Sequence, residues 1–418
     1  MKPSDPTKRL ILLASSQSYR SHPFLQAAER LGIEVVRGKD VPLPMMKQLK
    51  SEGVLALDYR DIKKSTKEIE RFANEKPVMA IIGLDDSGTL LAAAASDKLG
   101  LEHNSPEATK AARNKHLMRQ KFAEGGAPSP NFHYFHFGDD PNQIAKIVDF
   151  PCVVKPITLS GSKGVMRADS PEELLERIGR LNDILSVERC DEFLVEDYIP
   201  GVEVALEGIM DRGELHVLAI FDKPDALEGP FFEETIYVTP SRLSDQAQKQ
   251  VVEATRQGAQ ALGLRNGPVH AELRVNEDGA WLVEIASRSI GGMCSESLHF
   301  KMDMTLEELI LRQAFGMEIS GVSQEHSAEG VMMIPIPKAG ILRGVAGVAD
   351  AKAVLGVSKV EITASLNHSL VPLPEGNSYL GFIFASGIKP EEVEESLREA
   401  NSRLRFEIVE EIKLVVAD

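Results

Sequence analysis

Tryptophan occurs once and cysteine three times in this 418-residue chain, and no apolar run approaches the length of a membrane-spanning helix. The three cysteines, Cys152, Cys190 and Cys294, are odd in number and widely spaced. They therefore form neither a disulfide framework nor a zinc-ligand cluster, and fit free thiols in a reducing compartment. The first apolar stretch, residues 10–14, is short, follows charged and proline-bearing sequence and lacks a small-residue cleavage pattern. It reads as a strand and not as a signal peptide, so a cytoplasmic location and no membrane partner are expected. Basic residues are outnumbered, 47 against 63 acidic, leaving a formal charge of -16 that argues against polyanion binding along an open surface. Nucleic acid is accordingly not an expected partner, and any phosphate site must be a local basic pocket in an acidic body. There is no internal repeat, no low-complexity tract and no G-x-G-x-x-G after the first strand, so a dinucleotide role is unsupported.

What is present is an ordinary globular composition, 43% hydrophobic and 26% charged, in a chain long enough for three or four compact modules. Residues 1–104 alternate short apolar runs (10–14, 33–36, 54–57, 78–82) with helical ones (24–31 and 87–99, stopped by Gly32 and Gly100), which reads as an open parallel α/β sheet. Residues 105–130 form a helical linker: Ser105 caps a helix with Pro106 at its first position, and a second helix ends near Ala123, before a glycine and proline run. Residues 131–200 read as a small α+β unit with a helix over 141–148, strands at 152–155 and 164–167, a helix over 171–185 and a strand at 193–197. In residues 201–330 strands dominate up to 238, a long helix covers 244–262, and another lies near 305–315. The last unit, residues 331–418, is a smaller α+β appendage with strands near 331–335 and 380–384 and a charged helix over 390–402.

The most informative stretch is the pair of runs 268–276 and 280–288, joined by Glu277, Asp278 and Gly279. With Gly279 in a left-handed position closing a three-residue hairpin loop, Asn276 faces Ala280 and Glu272 lies opposite Glu284. That register puts Val269, Ala271, Leu273 and Val275 on a core face with Trp281, Val283 and Ile285. His270, Glu272, Arg274, Glu284 and Arg288 share the other face. A two-residue loop on Asp278 and Gly279 would place the glutamates on opposite faces instead. Like charges opposed across two strands repel, so the pair calls for a cation, and carboxylates alone suggest a hard one such as Mg2+. The plainer alternative is a solvated hairpin whose acids and arginines pair with each other.

Lys155 ends a buried-looking strand, so its ammonium emerges where the next loop begins; a merely solvated lysine is the alternative. That loop, Ser160, Gly161, Ser162, Lys163 and Gly164, is small enough for backbone N–H groups to approach phosphate oxygens, or it is a plain turn. It is no Walker motif, because no helix-opening Gly-Lys-Ser/Thr follows. Residues 193–203 read as a strand leaving one lobe and entering the next.

Lys115 in Arg113-Asn114-Lys115-His116, Lys155 in Val153-Val154-Lys155-Pro156, the 160–164 loop, Glu196 to Glu203 and the hairpin of Glu272, Glu284 and Arg288 follow one another along almost the whole chain. In that order they resemble the ATP-grasp superfamily. The resemblance implies a preceding α/β domain (1–104), two lobes gripping ATP (131–200 and 201–330) and a trailing α+β domain. It further implies that Lys115, Lys155 and the 160–164 loop contact nucleotide phosphates, that Glu196, Tyr198 and Ile199 flank adenine, that Glu203 binds ribose, and that Glu272 and Glu284 hold Mg2+, with Mn2+ as an alternative. Residues 223–240, 267–274 and 284–288 with Gly291 and Gly292 are similar to the bacterial L-amino acid ligases, which make dipeptides. Where the wider superfamily has a metal-binding Asn two residues after the second glutamate, this chain has Ala286, and the ligase subgroup also tends to carry a small residue there.

The implied reaction joins a carboxylate to an amine through an acyl phosphate, releasing ADP and phosphate. Arg288 would stabilise the transferring phosphoryl group and the oxyanion, Lys223 would contact phosphate, and Glu234 would bind the substrate ammonium, with Tyr237, Gly291 and Gly292 on the pocket wall. His270 is read as a hydrogen-bonded supporting residue and not as a general base. Rival readings are another carboxylate–amine ligase of a non-amino-acid or peptide substrate, and a non-catalytic ATP-binding module, against which the retention of Arg288 counts. Small-molecule substrates are the expected partners, and a homodimer is compatible.

Overall fold

The computed structural model describes residues 5–15, 20–41, 54–187, 190–322, 324 and 328–411. The first unit is a parallel sheet in the order Val54–Leu57, Ile33–Asp40, Asp5–Ala14, Ala80–Gly83. Leu10, Ile11, Leu12 and Leu13 are at most 2% exposed, because both faces of the central strand are covered. Leu10 and Leu12 pack with Phe24 and with Ala205, Ile209 and Phe221 of the large sheet, whereas Ile11 and Leu13 pack with Leu91 and Ala95. The alternation along one strand thus docks the first unit onto the rest of the protein.

The central strand Asp5–Ala14 continues through helix Ser21–Leu31 to the neighbour on one side, while its other neighbour is Ala80–Gly83. The strand order reverses there, opening a crevice beyond the carboxyl ends where ligands bind in open α/β sheets. The strand Ala80–Gly83 turns directly into helix Asp86–Leu99. A Cβ on Gly83 would lie 2.7 Å from backbone atoms of Gly88 and Thr89, so only glycine permits this close turn. It leaves Asp85 and Asp86 at the crevice.

Two short helices follow, Pro106–Arg113 capped by Ser105 and Lys115–Gly125 capped by Asn114, each side chain accepting a backbone N–H. The small lobe is an antiparallel sheet in the order Phe132–His136, Glu192–Asp197, Cys152–Pro156, Met166–Ala168, covered by helix Pro171–Ser186. The expected helix at 141–148 is shorter, Pro141–Ile144. Residues 198–201 then carry the chain into an eight-stranded sheet, every adjacent pair antiparallel. Its order is Gly279–Ala286, Gly267–Asn276, Val202–Asp211, Glu214–Asp222, Ile236–Thr239, Ala328–Ile334, Gly381–Gly387, Val357–Ile362. Helix Asp245–Leu262 packs on one end of this sheet and helix Pro390–Arg403 on the other. The C-terminal α+β unit therefore extends the large sheet, and adds a second small one from Ser369–Leu370, Gly340–Ala346 and Arg405–Val409. No helix among the described residues is long and apolar enough to cross a membrane.

The hairpin reaches its glutamate pairing by a different route from the one expected. Its turn holds only Glu277 and Asp278, and Asn276 pairs with Gly279, not with Ala280. A regular continuation would set Glu272 opposite Val283. Instead the register shifts between Glu272 and Leu273, so Val283 bulges and Glu272 faces Glu284 after all. The shorter turn also changes the core face, burying Leu282 opposite Leu273 while Trp281 and Val283 leave the core, and the bulge returns Ile285 to that face opposite Ala271.

Candidate active site

Two adjoining cavities meet at the carboxylate hairpin. The first is a cleft of about 960 Å³ between the small lobe and the large sheet. Lys115, Lys155, residues 160–163, Glu196, Tyr198, Ile199, Glu203, Glu234, Glu272, Glu284 and Arg288 all line it. The second, about 1250 Å³, is lined by Arg20 and Asp85 of the first unit, by Glu234, Tyr237, His270, Glu272, Arg288, Gly291 and Gly292, and by Met333, Asn377, Ser378, Tyr379 and Phe382 of the C-terminal unit. Ser160, Gly161, Glu234, His270, Glu272 and Arg288 border both. Of the residues singled out in the sequence, Gly164 and Lys223 line neither.

At the small-lobe end, Glu196 is fully buried between Lys155 (2.6 Å) and Arg119 (2.9 Å). Burial pushes its carboxyl up, but the two cations together pull it below the ordinary range. Lys155 is lowered, because burial and the positive charge of Arg119 outweigh its single carboxylate. Arg119 also donates to the Val283 carbonyl at the bulge (2.7 Å), which ties the small-lobe strand to the hairpin. The sequence reading passed over Arg119, although it stands four residues after Lys115 on one helix and hence on one face. Lys115 donates to the Leu159 carbonyl (2.9 Å) and pairs with Glu284 (3.0 Å).

The phosphate contact expected of Lys223 is not what its surroundings offer. Its ammonium is buried among Glu203 (2.8 Å), Glu234 (a shorter contact) and Glu272 (3.6 Å). Burial opposes its charge, yet the three carboxylates hold its pKa well above the ordinary value. Glu234 is pushed up to about 7, by burial first and then by the charge of Glu272. Glu272 is held well below the carboxylate range despite burial, by Lys223 and His270. His270 lies 3.0 Å from Glu207 and 3.4 Å from Glu272 through its two ring nitrogens. Burial works against its charge, but those hydrogen bonds raise it to about 9, so it is an imidazolium. Glu207 is held in turn by the Ile290 N–H, 3.1 Å from each oxygen. Glu203, expected to meet ribose, also pairs with Arg274 (3.2 Å), which reaches the Tyr198 hydroxyl (2.9 Å) and the Ile199 carbonyl (3.2 Å).

The donor set suits a hard divalent cation: Glu203, Glu234 and Glu272 bring carboxylate oxygens within 4.8 Å of one another, and Glu284 stands opposite Glu272 in the ladder. The grouping differs from the sequence pair: Lys223 touches the first three, offsetting part of their charge, while Lys115 pairs with Glu284.

Arg288 bridges units. Its Nε donates to Asp86 (2.9 Å) and one Nη to the Ser289 carbonyl (3.1 Å). Burial opposes the charge, but Asp86 raises its pKa further above the guanidinium value. The phosphate-type loop rests on the C-terminal unit: the Gly164 N–H donates to the Pro374 carbonyl (2.9 Å), and Arg180 forks onto Glu375 (2.6 and 3.0 Å). Neither these contacts nor Arg20, Asp85 and Asp86 were read from sequence. The reversal of strand order beside Ala80–Gly83, which no local sequence pattern encodes, is what brings the last three to the crevice.

Three family models match the chain: an ATP-grasp N-terminal domain over residues 25–103, an ATP-grasp domain over 148–297, and an L-amino acid ligase C-terminal domain 2 over 332–409. The alanine–anticapsin ligase of Bacillus subtilis (strain 168) is 28% identical over 241 residues, 52% of this chain and 50% of that protein. The chain thus spans about half the length of the curated relatives it matches first. Among solved structures, an L-amino acid ligase from Bacillus licheniformis superposes with a TM-score of 0.82 at 24% identity, over 97% of this chain and all of that one. A carboxyaminoimidazole ribonucleotide synthase from Aspergillus clavatus, complexed with ATP, gives 0.71 at 16% identity over 96% of this chain and 100% of that one. These two likenesses are likenesses of fold.

Proposed function

Because this chain belongs to the ATP-grasp superfamily, with bacterial L-amino acid and alanine–anticapsin ligases among its named relatives, we propose that it is an ATP-dependent ligase joining two amino acids. The observation that carries this reading is the meeting of two cavities at Glu234, His270, Glu272 and Arg288. A nucleotide gripped between the lobes brings its last phosphate to the border that a second ligand reaches from the other side. Lys115, Lys155 and the 160–164 loop serve the phosphates, Glu196, Tyr198 and Ile199 the adenine and Glu203 the ribose. Glu272 and Glu284 would hold Mg2+, which when bound neutralises phosphate charge.

The first substrate's carboxylate oxygen attacks the γ-phosphorus, the bond to the bridging oxygen breaks, and ADP leaves. The second substrate's amine then adds to the carbonyl carbon of the acyl phosphate. Collapse of the tetrahedral oxyanion breaks the C–O bond, expels phosphate and leaves the amide. Arg288 offers a planar fork to the phosphoryl oxygens and then to the oxyanion. Glu234, pushed up to about 7 and open to both cavities, suits both the ammonium of a substrate and the proton its amine must lose. Lys223 acts indirectly, holding Glu203 and Glu272 in place and keeping Glu272 ionised.

Phosphate release from ATP across a grid of paired L-amino acids, with mass spectrometry of the products, tests the proposal. The expected result is a new amide for a subset of pairs, with no phosphate from ATP alone. Phosphate released at one rate whatever the amino acid would mark a plain ATPase. Glu272→Gln and Glu284→Gln should each lower ligation by about a hundredfold or more while leaving the fold intact, since each removes an anionic ligand and preserves shape. Near-normal turnover of either variant at saturating Mg2+ would take the hairpin out of the mechanism.

A further inference from the structure

Arg20 is a buried cation that the ligase reading leaves without a task. It precedes helix Ser21–Leu31, just beyond the central strand of the first unit, makes no side-chain capping hydrogen bond and is 6% exposed. One Nη donates to the Leu84 carbonyl (2.5 Å) and lies 3.4 Å from the Ser289 carbonyl, the other donates to the Ser289 hydroxyl at short range, and Nε has no partner. Among the described residues no carboxylate comes within 4.0 Å of it. Arg288 donates to the same Ser289 carbonyl but is hydrogen-bonded to Asp86. Two guanidiniums therefore converge on one oxygen; Glu307, Asp85 and Glu207 act on Arg20 only from a distance, and none of them hydrogen-bonds it. A buried charge left in that state is costly, and an anion arriving from the cavity would offset the cost. Arg20 lines the second cavity and not the nucleotide cleft, and it stands at the crevice where the strand order reverses.

We propose that Arg20 binds the α-carboxylate of the amine-donating amino acid, an assignment that rests on the ligase reading. The first substrate gives up its carboxylate to the acyl phosphate at Arg288, whereas the second keeps its own and must place it away from Glu234, Glu272 and Asp85. Three cations border this cavity. His270 is held between Glu207 and Glu272, and Arg288 is held by Asp86 and shared with the cleft, which leaves Arg20. The first unit thereby supplies part of the acceptor site. Tyr237, Ile290, Met333, Tyr379 and Phe382 form an apolar wall in the same cavity, so L-leucine and L-phenylalanine are suitable probes.

The test compares these two amino acids with their primary amides, which keep the amine and the side chain but lose the carboxylate charge. Binding to the full chain is measured by calorimetry with ADP and Mg2+ present, and acceptor kcat/KM by product formation. The wild type should prefer acid to amide by about tenfold to a hundredfold, the range of a charged hydrogen bond. Arg20→Gln should bring the two within about twofold, and Arg20→Lys should restore part of the preference. An undiminished preference in Arg20→Gln, or an equal loss for acid and amide, overturns the assignment. So does loss of the ADP formation triggered by the first carboxylate before any acceptor is added, because the anion at Arg20 would then be the phosphoryl group. Should Arg20→Gln not fold, Arg20→Lys is read instead: KM for the acid rises severalfold with the amide unchanged, and parallel changes refute the idea. Binding that depends on Arg20 and on the carboxylate without any ligation would sink the ligase reading and leave Arg20 as the carboxylate contact of a bound amino acid that is no acceptor. Ligation with unaltered discrimination would do the reverse.

Discussion

Arg288→Lys is expected to lower ligation by about a hundredfold to a thousandfold while nucleotide affinity changes little. The side chain makes two fixed contacts, Nε to Asp86 and one Nη to the Ser289 carbonyl, and borders both cavities. Lysine keeps the charge but cannot hold Asp86 and the carbonyl while presenting a planar fork to transferred oxygens. On the proposed reading the nucleotide's own contacts would lie mostly with Lys115, Lys155 and the 160–164 loop, so binding should survive. The signature is a fall in kcat with little change in the KM for ATP, measured by coupled ADP detection. A variant that loses ATP binding and keeps its turnover once saturated would move Arg288 from the transferring group to the nucleotide.

The second large effect is on stability. Glu196→Gln should destabilise the fold by about 3–5 kcal/mol, because it strips one carboxylate from two buried cations, Arg119 and Lys155. Urea unfolding should show a lower midpoint with an unchanged slope. The pH dependence has a definite sign. The folded carboxyl of Glu196 is lowered, so its contribution is complete above the unfolded value, about 4.3, and is lost as pH falls through the lower folded value. Glu196→Gln should accordingly flatten part of the acid limb of the stability curve. An unchanged midpoint would mean that the network is not structural, and that Glu196 is there for the nucleotide alone.

The contrast between Glu196 and Glu272 indicates how far sequence can be read. Both were singled out by their place in an order of motifs, and both border the cleft. Periodicity put Glu272 on the polar face of a hairpin, and the pairing with Glu284 is there. The route to it was not legible. A two-residue turn and a bulge at Val283 give the same opposition as the expected three-residue loop, and alternation of side chains cannot count an extra residue whose place is decided by packing. That is why Leu282, not Trp281 or Val283, fills the core. Lys223 shows the same limit for electrostatics. Its type suited a phosphate, but three carboxylates brought together by strands Val202–Asp211 and Gly267–Asn276 and by the segment around Glu234 claim it first.

Contacts across long stretches of chain were the least accessible. Asp86 and Arg288 are 202 residues apart, and Arg20 and Ser289 are 269 apart. Each pair exists because the first unit docks its Leu10 and Leu12 face on the large sheet. The parallel α/β character of that unit was plain from its alternating runs. Which end of it would face the hairpin depends on strand order, and no local pattern encodes that order. The C-terminal unit likewise read as an appendage, while its strands Ala328–Ile334, Gly381–Gly387 and Val357–Ile362 complete the large sheet and its segment around Asn377 and Tyr379 walls the second cavity.

The proposed reaction passes a phosphoryl group to a carboxylate oxygen. The direct measurement uses a first amino acid carrying 18O in both carboxylate oxygens, with ATP, Mg2+ and an acceptor that yields a product, followed by mass analysis of phosphate and nucleotide. One 18O per turnover should appear in the released phosphate, the amide should keep the other, and the nucleotide product should be unlabelled ADP. Phosphate without label, or label carried into AMP, would contradict the acyl-phosphate route.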